Sequence, residues 1–203
     1  MYGQADSVRV LLHAGADPDE PIFCEPLYGF SSGLKFCRAT HFALARTPVG
    51  PSLSLVGTRQ LEILEVLVRE GCADVMARDW FGETPLYWLV WTHHACDVSD
   101  EELAVARMLL TPSARASRCP SSFTPLVLAV RYRRARLVRF LIEEAGVDVD
   151  ESEPHWSSMQ WCARMGGLRE MAILIDAGAE MDAVASNGGG TPLFLCVAWS
   201  RLP

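Results

Sequence analysis

The 203-residue chain is half hydrophobic and 21% charged, which excludes a disordered polymer and supplies enough apolar side chain for a core. A formal net charge of −7 argues against a dedicated nucleic-acid binder, which needs surplus positive charge. No apolar run nears the ~18 residues of a membrane span; Leu86 to Trp91, the densest, has six.

The first residues, Met1 to Asp6, show neither a basic leader nor an apolar core, so no secretory signal is expected. Val8 to Leu12 reads as an apolar helical run, closed by the tail Gly15-Ala16-Asp17-Pro18-Asp19. Pro21 to Leu34 and Thr47 to Arg59 are rich in Gly, Pro and Ser and read as inserted loops. Between them Arg38-Ala39-Thr40 marks a helix start. The run Leu64 to Val68 ends in Gly71 and the tail Ala73-Asp74-Val75. Thr84-Pro85-Leu86 opens the next helix, and a third insertion falls at His93 to Glu102. Thr124-Pro125-Leu126, the run Leu137 to Ile142 and the tail Gly146-Val147-Asp148-Val149-Asp150 follow. Ser157-Ser158-Met159, the run Met171 to Ile175 and the tail Gly178-Ala179-Glu180-Met181-Asp182 repeat that order, and Thr191-Pro192-Leu193 starts it again.

From Thr124 to Ser157 is 33 residues and from Ser157 to Thr191 is 34. Several elements in one order at a nearly fixed period indicate a solenoid. Thr suits the N-cap, and Pro at the next position lacks the N–H that would go unsatisfied. Leu128-Ala129-Val130 and Trp161-Cys162-Ala163 are expected to let short helices approach closely. Gly15, Gly71, Gly146 and Gly178 suit the left-handed residue that ends a second helix. One such pair cannot bury its apolar face alone, but stacked neighbours can.

The chain resembles the ankyrin repeat family. Asp79-Trp80-Phe81-Gly82-Glu83-Thr84-Pro85-Leu86 is similar to the family's hairpin-to-helix signature, and Gly3 to Asp19 to its second helix and tail. The resemblance implies an all-α solenoid of helix–turn–helix units joined by projecting hairpins, with β structure confined to hairpins. It implies a single domain with approximate units 1–19, 20–76, 77–116, 117–150, 151–183 and 184–203, two terminal half-repeats around four full ones. The family's His after Thr-Pro-Leu survives at His41, whereas Tyr87, Val127, Gln160 and Phe194 replace it. That puts the usual inter-repeat hydrogen bonds at those four positions in question.

Chemistry-bearing motifs are sparse. The seven cysteines show no CxxC pairing, and Cys72, Cys162 and Cys196 sit among apolar or small residues, as expected of reduced thiols in a cytoplasmic or nuclear protein. His93-His94-Ala95-Cys96-Asp97 has metal-ligand residue types, but neighbouring histidines seldom converge on one ion, so an exposed loop is expected and no metal or cofactor. Gly188-Gly189-Gly190 precedes a helix start without the Lys of a phosphate loop and reads as a hairpin. No Gly-x-Ser-x-Gly or His-Glu-x-x-His motif nominates an active site.

The family register implies a concave binding face formed by hairpins and the ends of first helices. Here those positions include Arg78, Trp80, Phe81, Glu83, Trp91, Phe123, Arg131, Tyr132, His155, Trp156 and Arg164, and Trp, Tyr and Arg dominate interface hot spots. Phe123 and Trp156 are as readily expected to pack on a neighbouring hairpin. The cluster Arg131, Arg133, Arg134, Arg136 and Arg139 suggests exposed charge that steers an acidic partner. The expected function is a non-catalytic interaction module with a protein partner and no membrane or nucleic-acid role. The alternatives are a metal-dependent or enzyme-associated activity at 93–102, or a piece of a longer array. The apolar run Leu193 to Trp199 lacks a following second helix, and such uncapped ends are expected to fray or self-associate.

Overall fold

Side-chain caps set where the helices begin. Thr124 Oγ1 accepts from Val127 N–H, Ser157 Oγ from Gln160 N–H and Thr191 Oγ1 from Phe194 N–H, each at 3.3 Å. Each cap satisfies a first-turn donor that no carbonyl can reach. The computed structural model describes residues 3–24, 35–44, 58–92, 97–110, 123–150, 156–185 and 188–200. Apart from one two-stranded ladder, the regular structure of these residues is helical, and no helix among them is long and apolar enough to cross a membrane.

The chain divides into two compact units. Unit 1 comprises Met1–Ala95 and Ser99–Ala114, and unit 2 comprises Cys96–Val98 and Arg115–Pro203. Unit 1 contains α1 (Gln4–His13), β1 (Ile22–Cys24), β2 (Lys35–Cys37), α2 (Ala39–Leu44), α3 (Thr58–Arg69), α4 (Pro85–Thr92) and α5 (Asp100–Leu109). Its helices stack in two rows, α1 on α3 on α5 and α2 on α4, with α2 against α3 and α4 against α5 joining the rows. Leu44, Leu64, Leu86, Leu89 and Leu109 are sealed between them, each contributing about 1.5–3 kcal/mol by leaving water.

Unit 2 repeats the scheme with α6 (Pro125–Arg131), α7 (Ala135–Glu143), α8 (Ser158–Met165), α9 (Leu168–Asp176) and α10 (Pro192–Trp199). First helices α6, α8 and α10 form one row and second helices α7 and α9 the other. Residues Pro125 to Val130 are all buried, because α6 has a neighbour on more than one side. On α10, by contrast, Pro192 and Leu195 are buried while Leu193, Phe194 and Val197 stay exposed.

Aspartates in the tails tie one repeat to the next. Asp17, Asp74 and Asp148 each accept from the N–H two residues on, closing the tail turn at 2.8–3.0 Å. Asp19 then accepts from Asp74 N–H, and Asp150 from Glu180 N–H.

Several expectations need correction. The first insertion is not all loop: Ile22–Cys24 pairs antiparallel with Lys35–Cys37, Phe23 opposite Phe36. The third ends early, since Asp100 to Glu102 form the first turn of α5. There Ser99 Oγ accepts from Glu102 N–H at 3.2 Å and Glu102 Oε2 from Ser99 N–H at 2.7 Å, a reciprocal cap. Gly15, Gly146 and Gly178 do take left-handed backbone, but after α3 that conformation falls on Cys72, with φ of 52°. Gly71 is needed instead for close approach, because a Cβ there would meet the Leu67 carbonyl oxygen at 2.8 Å. Cys72 and Cys196 are exposed rather than embedded among apolar side chains, and only Cys162 of that trio is buried.

Candidate protein-binding surface

In unit 1 the surface is built on one carboxylate. Asp79 is buried and accepts from Phe81 N–H at 2.9 Å, Glu83 N–H at 2.8 Å and Trp88 Nε1–H at 2.9 Å. Backbone bonds from Asp79 N–H to Glu83 O and from Gly82 N–H to Asp79 O close the turn, with Gly82 left-handed at φ 75°. Arg78 Nη1 donates to Gly82 O at 2.8 Å, and Arg38 Nη1 donates to the Arg78 carbonyl. A hairpin fixed from within by its own base leaves its tip outward: Trp80 is 57% and Phe81 51% exposed. Trp91 lies on α4, and its side chain falls outside the described residues.

Beneath the hairpin, His41 is fully buried and its Nε2 lies 3.0 Å from Glu83 O. A carbonyl only accepts, so Nε2 carries the proton in this bond. Burial, the largest influence, holds the imidazole below its ordinary pKa. The Glu83 carboxyl is pushed up to about 7, first by burial and then by the Asp79 charge, against a hydrogen bond from Tyr87. A carboxyl that holds its proton more tightly when folded lends stability at low pH and loses it as pH rises through about 7. His41 acts in the opposite sense, its contribution falling as pH drops below 6.5. Comparing Glu83→Gln with the native chain cancels the histidine. The variant is expected to gain relative stability between pH 4.5 and 7, by about 1 kcal/mol after solvent screening of a half-buried group. Thermal unfolding of both proteins at pH 5 and pH 8 checks this, and parallel profiles would contradict it.

In unit 2 the surface is a stack of rings and guanidinium groups. Arg131 closes α6, and its Cζ lies 4.9 Å from the Phe123 ring centre and 5.3 Å from that of Trp161. Arg164, near the end of α8, lies 5.1 Å from Trp156, 5.3 Å from Trp161 and 4.4 Å from Trp199. Trp161 also packs on Phe123 at 6.0 Å and on Trp156 at 5.1 Å. The 33-residue period puts Phe123 in register with Trp156 and Arg131 with Arg164. Stacked repeats therefore bring the two pairs to one face. Trp161 and Trp199 were not foreseen at this site. Arg164 is the fingerprint for Trp161, because residues three apart share a helix face.

The arginine cluster divides on inspection. Arg133 takes left-handed backbone at φ 57°, turning α6 into α7, and its Nη2 donates to Gly166 O at 2.7 Å. Arg134 is then the N-cap of α7 and wholly buried, so it cannot steer a partner as an exposed charge. Arg136 Nη1 donates to Val98 O and its N–H to the Asp97 carboxylate, while Arg139 pairs with Glu143 at 3.1 Å. Tyr132 is half buried as the C-cap of α6. His155, and His93, His94 and Cys96 of the metal-type cluster, lie outside the described residues.

Inter-repeat bonding survives at Gln160, one of the substituted positions. Gln160 donates from Nε2 to Ala183 O at 3.0 Å and Gly190 O at 3.1 Å, reaching the next hairpin much as His41 reaches Glu83 O. Val127 and Phe194 have no side-chain donor.

Residues 122–151 match the family model of the ankyrin repeat. That stretch, which holds α6 and α7, thus reads as an ankyrin repeat among helix pairs of the same kind; ankyrin repeats are generally non-enzymatic and mediate protein–protein contacts. Comparison with curated proteins gave no match.

Proposed function

We propose that the chain is a non-catalytic interaction module that holds a protein partner on its hairpins and first-helix ends, with the units forming one ankyrin-type domain. The observation that carries the reading is the 79–83 hairpin. Its internal bonds are satisfied by Asp79, Arg78 and Arg38, yet two large rings remain more than half exposed at its tip. Rigid presentation of aromatic side chains lowers the ordering entropy lost on binding.

Truncating Trp80 and Phe81 to alanine is expected to cost about 2 kcal/mol or more each in partner affinity, as for anchors that become desolvated. Affinity capture with the intact chain and the double variant, followed by titration of the captured protein, tests it. Unchanged affinity in the double variant would move the binding surface elsewhere.

A further inference from the structure

The arginines of unit 2 fall into two groups. Arg133, Arg136 and Arg139 spend donors on carbonyl or carboxylate oxygens of the chain itself, and Arg134 is buried. Arg131 and Arg164 contact only aromatic rings among the described residues, and neither meets a carboxylate there. No hydrogen-bond acceptor among the described residues takes a side-chain N–H of either arginine, so the guanidinium donors remain available. Both groups are partly exposed and share the Trp161 indole. Among the described residues they are two cations without counter-charge, held by rings so that little side-chain freedom remains to be lost on binding.

We propose that this Arg131–Arg164 face binds an acidic segment of a protein partner, with carboxylates received edge-on by the two guanidinium groups. The proposal rests on the protein-binding reading and gives it a partner chemistry. Bidentate Arg–carboxylate pairing fits the donors left open. A nucleic acid fits less well on two counts. The rings that would stack on bases already face guanidinium groups or one another. Unit 2 also has ten basic against eleven acidic residues, no surplus for a phosphate backbone.

The test titrates the full chain calorimetrically, at physiological salt, with three probes: a peptide alternating Glu and Ser, the same peptide with Gln for Glu, and an oligothymidylate. The acidic peptide is expected to bind at least tenfold more tightly than the other two. Arg131→Gln with Arg164→Gln should weaken it at least tenfold. Should the Gln pair fail to fold, Arg131→Lys with Arg164→Lys keeps the charge and loses the planar fork, and weaker binding by several-fold is expected. Equal binding of acidic and neutral peptides, preference for the oligonucleotide, or native affinity in both arginine variants would overturn the proposal. If the acidic peptide does not bind while Trp80-dependent capture of a protein persists, this inference falls and the interaction module stands. If the peptide binds and Trp80-dependent capture fails, the hairpin reading falls and this face stands.

Discussion

Replacing Asp79 by alanine is expected to destabilise unit 1 by about 3–5 kcal/mol, the scale for breaking a buried charged hydrogen-bond network. The substitution strips the acceptor from Phe81 N–H, Glu83 N–H and Trp88 Nε1–H together. Asp79→Asn should cost less, about 1–3 kcal/mol. Its amide oxygen can keep the two backbone donors, but its amino group would face the Trp88 indole N–H. The asparagine also removes the negative charge that helps raise the Glu83 pKa, so the pH dependence attributed to Glu83 should shrink with it. Denaturant unfolding of the three proteins checks the order native, Asn, Ala. An alanine variant within 1 kcal/mol of the native chain would show that the hairpin does not depend on this carboxylate.

Gln160→Met is expected to cost unit 2 about 2–4 kcal/mol, despite its similar size and full burial. Methionine fills the volume but leaves Ser157 N–H, Ala183 O and Gly190 O without their partner. The buried Ser157 N–H carries a penalty of about 1–3 kcal/mol, and the part-buried Ala183 O and Gly190 O, the latter still accepting from Ala185 N–H, add less each. Hydrogen exchange locates the effect: lost protection should spread from Ser157 to the 183–190 hairpin, while α6 and α7 keep theirs. Loss confined to α8 would mean that Gln160 does not link the two repeats.

The helix starts were legible because a Thr or Ser cap and the Pro after it act locally, through the chain's own first turn. The exposed Trp80 and Phe81 were legible for the same reason: the Asp and Gly that shape their hairpin lie within three residues. What escaped the sequence is non-local. Ile22–Cys24 and Lys35–Cys37 are too short to show alternation, and each is a strand only because the other is beside it. Trp161 stands in the sequence beside small residues that let helices approach, yet its ring packs on Phe123 and Trp156 instead. Arg134 looks like its exposed neighbours in an arginine run; the left-handed turn at Arg133 is what sends it inside.

The tail links have a one-sided grammar. Asp19 and Asp150 contribute side chains, but Asp74 and Glu180 contribute only main-chain N–H groups to these links. Any residue except proline can fill the second role, so half of each link is invisible to substitution. At a receiving position whose side chain does nothing else for the tail, a substitution leaves the stacking bond in place, whereas Asp74 also closes its own turn through its carboxylate. Shape then outlasts spelling. Residues 122–151 match the family's letters, while α8 and α9 form the same kind of helix pair from a different helix start, Ser157-Ser158-Met159.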